Sequence, residues 1–220
     1  MKLYFNPLAC SLASRIAVYE AGLPNDLIEV DTLTKRTSDG ADYRQIHSLG
    51  LVPSLALDDG TLLTENAAVL QYVADRVPEK HLAPRDGLAR SYLHQWLCFI
   101  GTELHKGFVP LLDKKAGAEV KAYTMGKLLP KLAYADHWLA SRSTLLDDYS
   151  VADGYLFAVL NWTIVTSIKR ADYPALAAFH ARMLGRPAVK RAFEEERQLY
   201  LAELERASAE RATSAPVPVS

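Results

Sequence analysis

The pattern of apolar residues changes character once, near residue 80, and no other feature of this sequence restricts its fold as much. Ahead of that point, short runs with strand character alternate with helical ones; beyond it the chain reads as long helices with brief interruptions. "KLYF" (Lys2 to Phe5) is a strand, Ser11 to Ala21 a helix, and Gly22 tolerates the left-handed conformation that closes one. "LIEVD" (Leu27 to Asp31) makes a second strand, and a helix between two strands implies a crossover with parallel pairing. In "VPSLALDDGTLLTE" (Val52 to Glu65) two apolar runs flank Asp58, Asp59 and Gly60, a turn signal that predicts an antiparallel hairpin. Thr64 or Glu65 then starts a helix that carries Ala67, Ala68, Leu70, Val73 and Ala74 toward a core. The predicted order is βαβ, a loop or short helix, then ββα.

Two prolines and mixed charge mark 78–87 as an exposed linker. From Leu88 to Leu112, the residues Leu93, Trp96, Leu97, Ile100 and Leu104 recur three and four apart, an amphipathic stripe on a helix that Pro110 ends or bends. Ala118 to Ala140 is a second long helix, with a kink expected at Pro130. Ser150 and Asp153 have the spacing of a capping box ahead of "GYLFAVLNW", a helix apolar almost all round and therefore buried. Pro174 and Pro187 stand where they can open two shorter helices. The expected units are 1–77, a linker over 78–87, an all-helical unit over 88–200, and a small, polar, disordered tail over 207–220.

Composition narrows the function. A net charge of −1 without a Lys/Arg run opposes a surface that tracks nucleic-acid phosphates. The N-terminus lacks the apolar core of a secretory signal and no apolar run reaches membrane-spanning length, so a cytoplasmic protein is expected. The two cysteines, Cys10 and Cys98, lack CxxC spacing, which leaves no basis for a zinc cluster or a dithiol motif. Cys98 reads as a buried helix residue.

Cys10 is the residue with chemistry to explain. At the first turn of a helix a thiol faces unpaired N–H groups and the positive end of the dipole, which favours thiolate and predicts a pKa below the roughly 8.5 of free cysteine. Position alone also allows a small packed residue. His105, beside Leu104 on the apolar stripe, has the same two readings: a group facing a cleft, or a structural histidine.

Four segments in order, "PLACSLASRIA", "VPSLALDDGTLLTE", "TELHKGF" (Thr102 to Phe108) and "VADGYLF" (Val151 to Phe157), resemble the glutathione S-transferases, specifically the bacterial beta class, from Met1 to about Glu196. The resemblance implies a thioredoxin-like N-terminal domain (βαβ-α-ββα) that binds glutathione, an all-helical C-terminal domain, a homodimer, and a role in detoxification. It implies that Cys10 engages the glutathione sulfur and that His105 and Lys106 line the site. It further implies a cis Val52–Pro53 bond whose Val52 N–H and C=O pair with the cysteinyl part of glutathione, Glu65 and Asn66 at the γ-glutamyl end, and Lys35 near the glycine end. Tyr4, Leu8, Phe108 and Trp162 would border a hydrophobic electrophile. No metal or nucleotide is implied. "HSLGLVP" departs from the family's "NPKGQVP", with Leu49 for lysine and Leu51 for glutamine, and Asn66 and Cys98 depart as well. The polar groups lost at Leu49 and Leu51 keep open a non-catalytic binding protein of this fold, and a reactive Cys10, which needs no CxxC, keeps open a glutathione-dependent thiol–disulfide or peroxide reductase.

Overall fold

The computed structural model describes residues 1–213, with side chains through residue 206. Strands β1 (Lys2–Phe5), β2 (Asp26–Asp31), β3 (Arg36–Thr37), β4 (Ser54–Ala56) and β5 (Leu62–Thr64) form one mixed sheet in the order β3-β2-β1-β4-β5. β1 and β2 are parallel, with Leu3 opposite Leu27, and are linked by helix α1 (Leu12–Ala21), as the crossover argument requires. β4 pairs antiparallel with both β1 and β5, and Gly60 takes φ +88° in the turn before β5. Gly22 closes α1 at φ +67°. The two-residue edge strand β3 is not legible in the sequence, since its pairing with Val30 and Asp31 comes from the chain folding back.

Alternation along β1 divides the core. Leu3 faces α1 and helix α2 (Asn66–Asp75) together with the helical part of the chain, whereas Tyr4 joins Val30 and Tyr43 under the opposite face. On α2, Val69, Leu70, Val73 and Ala74 are buried; Ala68, expected among them, is exposed.

The expected single helix over residues 88–112 is three pieces: α3 (Gly87–Phe99), a π-helical turn (Ile100–His105) and α4 (Lys106–Leu112), which runs two residues past Pro110. Cys98 lies off the Leu93, Trp96 and Leu97 face of α3 and is exposed, contrary to the buried position expected for it. Helix α5 spans Ala118–Leu139 and includes Pro130. Helix α6 (Val151–Leu160) is buried at every position, and both arms of its capping box form: the Ser150 side chain accepts from the Asp153 N–H, and the Asp153 carboxylate accepts from the Ser150 N–H at 2.8 Å; Asp153 also accepts from the Leu145 N–H at 2.8 Å. Large side chains buried this way contribute roughly 1.5–3 kcal/mol each. Helix α7 is Pro174–Leu184, but Pro187 opens the longest helix, α8 (Pro187–Thr213, 27 residues), not a short one. The tail expected over 207–220 is therefore helical to Thr213, and 214–220 lie outside the described residues. α8 and α6 both pack on α1, and this brings residues far apart in sequence to the end of β1.

Candidate active site

The site forms where β1 hands over to α1. Asn6 anchors the connecting loop, donating from Nδ2 to the Val30 carbonyl at 3.0 Å and from its backbone N–H to Ser11 Oγ at 3.1 Å. Leu8 adopts φ +56°, a region that branched side chains rarely occupy. It is gripped on both sides: its N–H donates to Glu196 Oε2 at 2.8 Å, and its carbonyl accepts from Trp162 Nε1 at 3.0 Å. Two residues on, Cys10 is buried and its thiol donates to the Val52 carbonyl at 3.3 Å. Asn66 Nδ2 donates to the Cys10 carbonyl at 2.9 Å while Asn66 Oδ1 accepts from Ser14 Oγ at 2.8 Å, so the start of α2 is tied to the start of α1.

The expectation for the thiol has the wrong sign. Burial pushes the Cys10 pKa from 9.0 up to about 12, although Lys106 and the N–H groups of Cys10 and Ser11 pull the other way. The helix begins at Leu12, with Ser11 as its cap, so Cys10 sits just outside the first turn, where desolvation outweighs the amides.

His105 does not hydrogen-bond Cys10. Its Nδ1 lies 2.8 Å from the Tyr155 hydroxyl, and its ring meets that of Trp162 edge-on at 5.1 Å. Burial and the neighbouring Lys106 lower its pKa to about 4, so it is neutral near pH 7. Burial pushes the pKa of the Tyr155 hydroxyl up, so it stays protonated and can donate to His105. Tyr155 is thus the partner that orients His105. Sequence reasoning missed it because it lies on a helix apolar all round; a hydroxyl in that context needs a partner, and this was the available signal.

Val52–Pro53 is cis, as expected. The Val52 carbonyl holds the Cys10 thiol, and among the described residues its N–H has no partner. Exposed Glu65 has φ +68° directly before Asn66, the first residue of α2. Lys35 Nζ donates to the Gly50 carbonyl at 2.9 Å, bracing the loop that carries Leu49 (70% exposed) and Leu51 (49% exposed). Beside the Asn6–Ala9 loop lies a pocket of ≈ 430 Å³ lined by Leu8, Leu112, Trp162, Phe193, Arg197 and Tyr200, among others. Leu8 and Trp162 border it as expected, and Phe108 packs on Trp162 from behind at 5.9 Å. Tyr4 does not, because the pleat turns it to the other face of the sheet.

The family model of the glutathione S-transferase N-terminal domain matches residues 9–76, and that of the C-terminal domain matches residues 99–187. Over 203 residues the sequence is 41% identical to glutathione S-transferase GstA of Escherichia coli O157:H7, an alignment covering 89% of this chain and 98% of that protein. The structure is similar to a bacterial beta class glutathione S-transferase of Sphingomonas chungbukensis, with a TM-score of 0.86, 40% identity and coverage of 89% of this chain and 98% of that one. It is equally similar to a sphingomonad glutathione S-transferase complexed with glutathione, with a TM-score of 0.86, 41% identity and the same coverage of 89% and 98%.

Proposed function

This chain belongs to the glutathione S-transferase family, and on that premise we propose that Cys10 works as a neutral thiol donor to the sulfur of glutathione during conjugation to a hydrophobic electrophile. Glutathione lies along the N-terminal part of the chain. Its cysteinyl backbone pairs with the N–H and C=O of Val52 as an added strand would, its γ-glutamyl end meets Glu65 and the N–H of Asn66 at the start of α2, and its glycine end approaches Lys35. Pairing at the Val52 carbonyl displaces the Cys10 thiol, which turns its S–H to the incoming sulfur. The Lys106 charge and the Tyr155 hydroxyl, oriented by His105, add to the stabilisation of the glutathione thiolate. The electrophile occupies the pocket beside Leu8 and Trp162, so the rate gain comes from proximity and a lowered glutathione pKa.

The 3.3 Å contact between the Cys10 thiol and the Val52 carbonyl carries this reading, because it sets a neutral sulfur donor on the backbone group that a docked peptide would claim. The reductase alternative needs a thiolate at Cys10, which burial opposes. The protein works in the cytoplasm, in detoxification, as a homodimer; the partly exposed aromatic face of Phe99 and Tyr134 around Trp96 supports the association. Calorimetry of glutathione binding, with turnover of a chloronitrobenzene electrophile on the same sample, tests the reading. Micromolar to low-millimolar binding with turnover is expected; binding without turnover would favour the non-catalytic alternative, and no binding at millimolar glutathione would sink the whole assignment.

A further inference from the structure

We propose that Glu196 is a positioning residue for the Cys10 thiol, acting through the backbone of Leu8; the inference rests on the role given to Cys10 above. Glu196 is fully buried on α8, and its carboxylate reaches across 188 residues of sequence to accept the Leu8 N–H at 2.8 Å.

Stability does not account for a carboxylate in this place. Its second oxygen, Oε1, lies 3.7 Å from Arg15 Nη1, and neither atom has a hydrogen-bond partner among the described residues. The Arg15 guanidinium gives its hydrogen bonds to Glu195 and Tyr19 instead, so the buried ion pair is an imperfect one, of the kind that rarely repays its desolvation. What Glu196 does satisfy completely is one backbone donor in a strained turn. Leu8, at φ +56°, is held there by Glu196 on its N–H side and Trp162 on its carbonyl side, one from α8 and one from the turn that follows α6. The turn is held elsewhere at its two ends, at Asn6 by Val30 and Ser11 and at the Cys10 carbonyl by Asn66, and between them by backbone bonds from the Ala9 N–H to the Asn6 carbonyl and from the Leu12 N–H to the Ala9 carbonyl, both at 3.1 Å, so Leu8 itself is fixed by Glu196 and Trp162. With the strap cut, Leu8 can relax out of the left-handed region, and the direction of the chain entering Cys10 changes with it. Burial pushes the Glu196 pKa up to about 8, against the pull of Arg15. An accepting oxygen is present whether or not the carboxyl is ionised, so a glutamine can replace it.

The test uses the full chain with glutathione and the chloronitrobenzene electrophile. Glu196→Leu is expected to lower kcat at saturating substrates by about tenfold or more, with the KM for glutathione within about twofold, and Glu196→Gln to keep kcat within about threefold of the parent. A residue that only supports the fold would lower the melting temperature of both variants and leave kcat of the folded enzyme unchanged; that result, or equal loss in both variants, overturns the proposal. If Glu196→Leu does not fold, Trp162→Phe decides: it keeps an aromatic ring but deletes the donor to the Leu8 carbonyl, and an unchanged kcat overturns the strap. Turnover absent from the parent protein would overturn the functional reading itself, whereas turnover that survives cutting the strap overturns only the role of Glu196.

Discussion

The protonation state of Cys10 separates the mechanism proposed here from one in which Cys10 is itself the nucleophile. Burial raises its pKa from 9.0 to about 12, because removing the sulfur from water penalises the anion more than Lys106 and two backbone N–H groups favour it. Each pKa unit is a factor of ten, so about three units leave the thiolate roughly a thousandfold scarcer at pH 7 than in an unperturbed cysteine. Iodoacetamide alkylation measured against pH reads this directly, with Cys10 and the exposed Cys98 followed separately by peptide mass spectrometry. The rate at Cys10 should climb tenfold per pH unit without levelling off through about pH 10. A plateau with its midpoint at or below roughly 8.5 would refute the reasoning, since it would mean that the amides and Lys106 outweigh desolvation. The same argument bounds the cost of Cys10→Ala. Loss of one hydrogen bond to a thiolate costs about 1.5–3 kcal/mol, or about ten- to 160-fold in kcat/KM, whereas loss of an obligatory nucleophile costs several orders of magnitude more.

Asp153→Ala strands the buried N–H groups of Leu145 and Ser150 at about 1–3 kcal/mol each, so thermal melting should fall by roughly 4–24 °C, and a fall below about 2 °C would show that α6 does not depend on its cap. His180 is buried against the Phe157 ring and hydrogen-bonded to Asn161 at 2.9 Å, with its pKa lowered to about 4. A lowered histidine pKa favours the neutral form in the folded state, so its contribution is intact above the unfolded value of about 6.5 and is lost as pH falls toward 4. Melting temperature should therefore drop over that window less steeply in His180→Gln than in the parent, and parallel curves would contradict the assignment. Leu49→Lys restores a cation at an exposed rim position; glutathione affinity by calorimetry should rise by about two- to fivefold at low salt and lose that gain as salt is added, and a salt-independent change would exclude a charge effect.

Much of the architecture was legible because it rests on local rules. Gly22, the Asp58–Gly60 turn and the Ser150–Asp153 box each fix a chain boundary through interactions within a few residues, and each stands where patterning put it. Periodicity was less informative where the winding itself changes: a π turn at Ile100–His105 interrupts a stripe that reads as one continuous helix, and it ends at the histidine. Pro187 marked a helix start correctly, but the shorter helix expected there is the longest one, a length that α8 draws from packing on α1.

For the site, the sequence by itself determined the cast: a lone cysteine ahead of a helix, a proline-led hairpin, a histidine–lysine pair, and an acid opening a helix. It could not determine how those groups behave. Whether Cys10 is thiol or thiolate depends on how much water the surrounding helices remove, and desolvation is a property of the whole packed neighbourhood, not of position along one helix. The partners that only the tertiary structure supplied, Tyr155 for His105, Trp162 and Glu196 for Leu8, lie 50, 154 and 188 residues away along the chain. No local pattern encodes such a pairing, because the hydrogen bond exists only after α6 and α8 have closed on α1 and left a buried donor facing a buried acceptor.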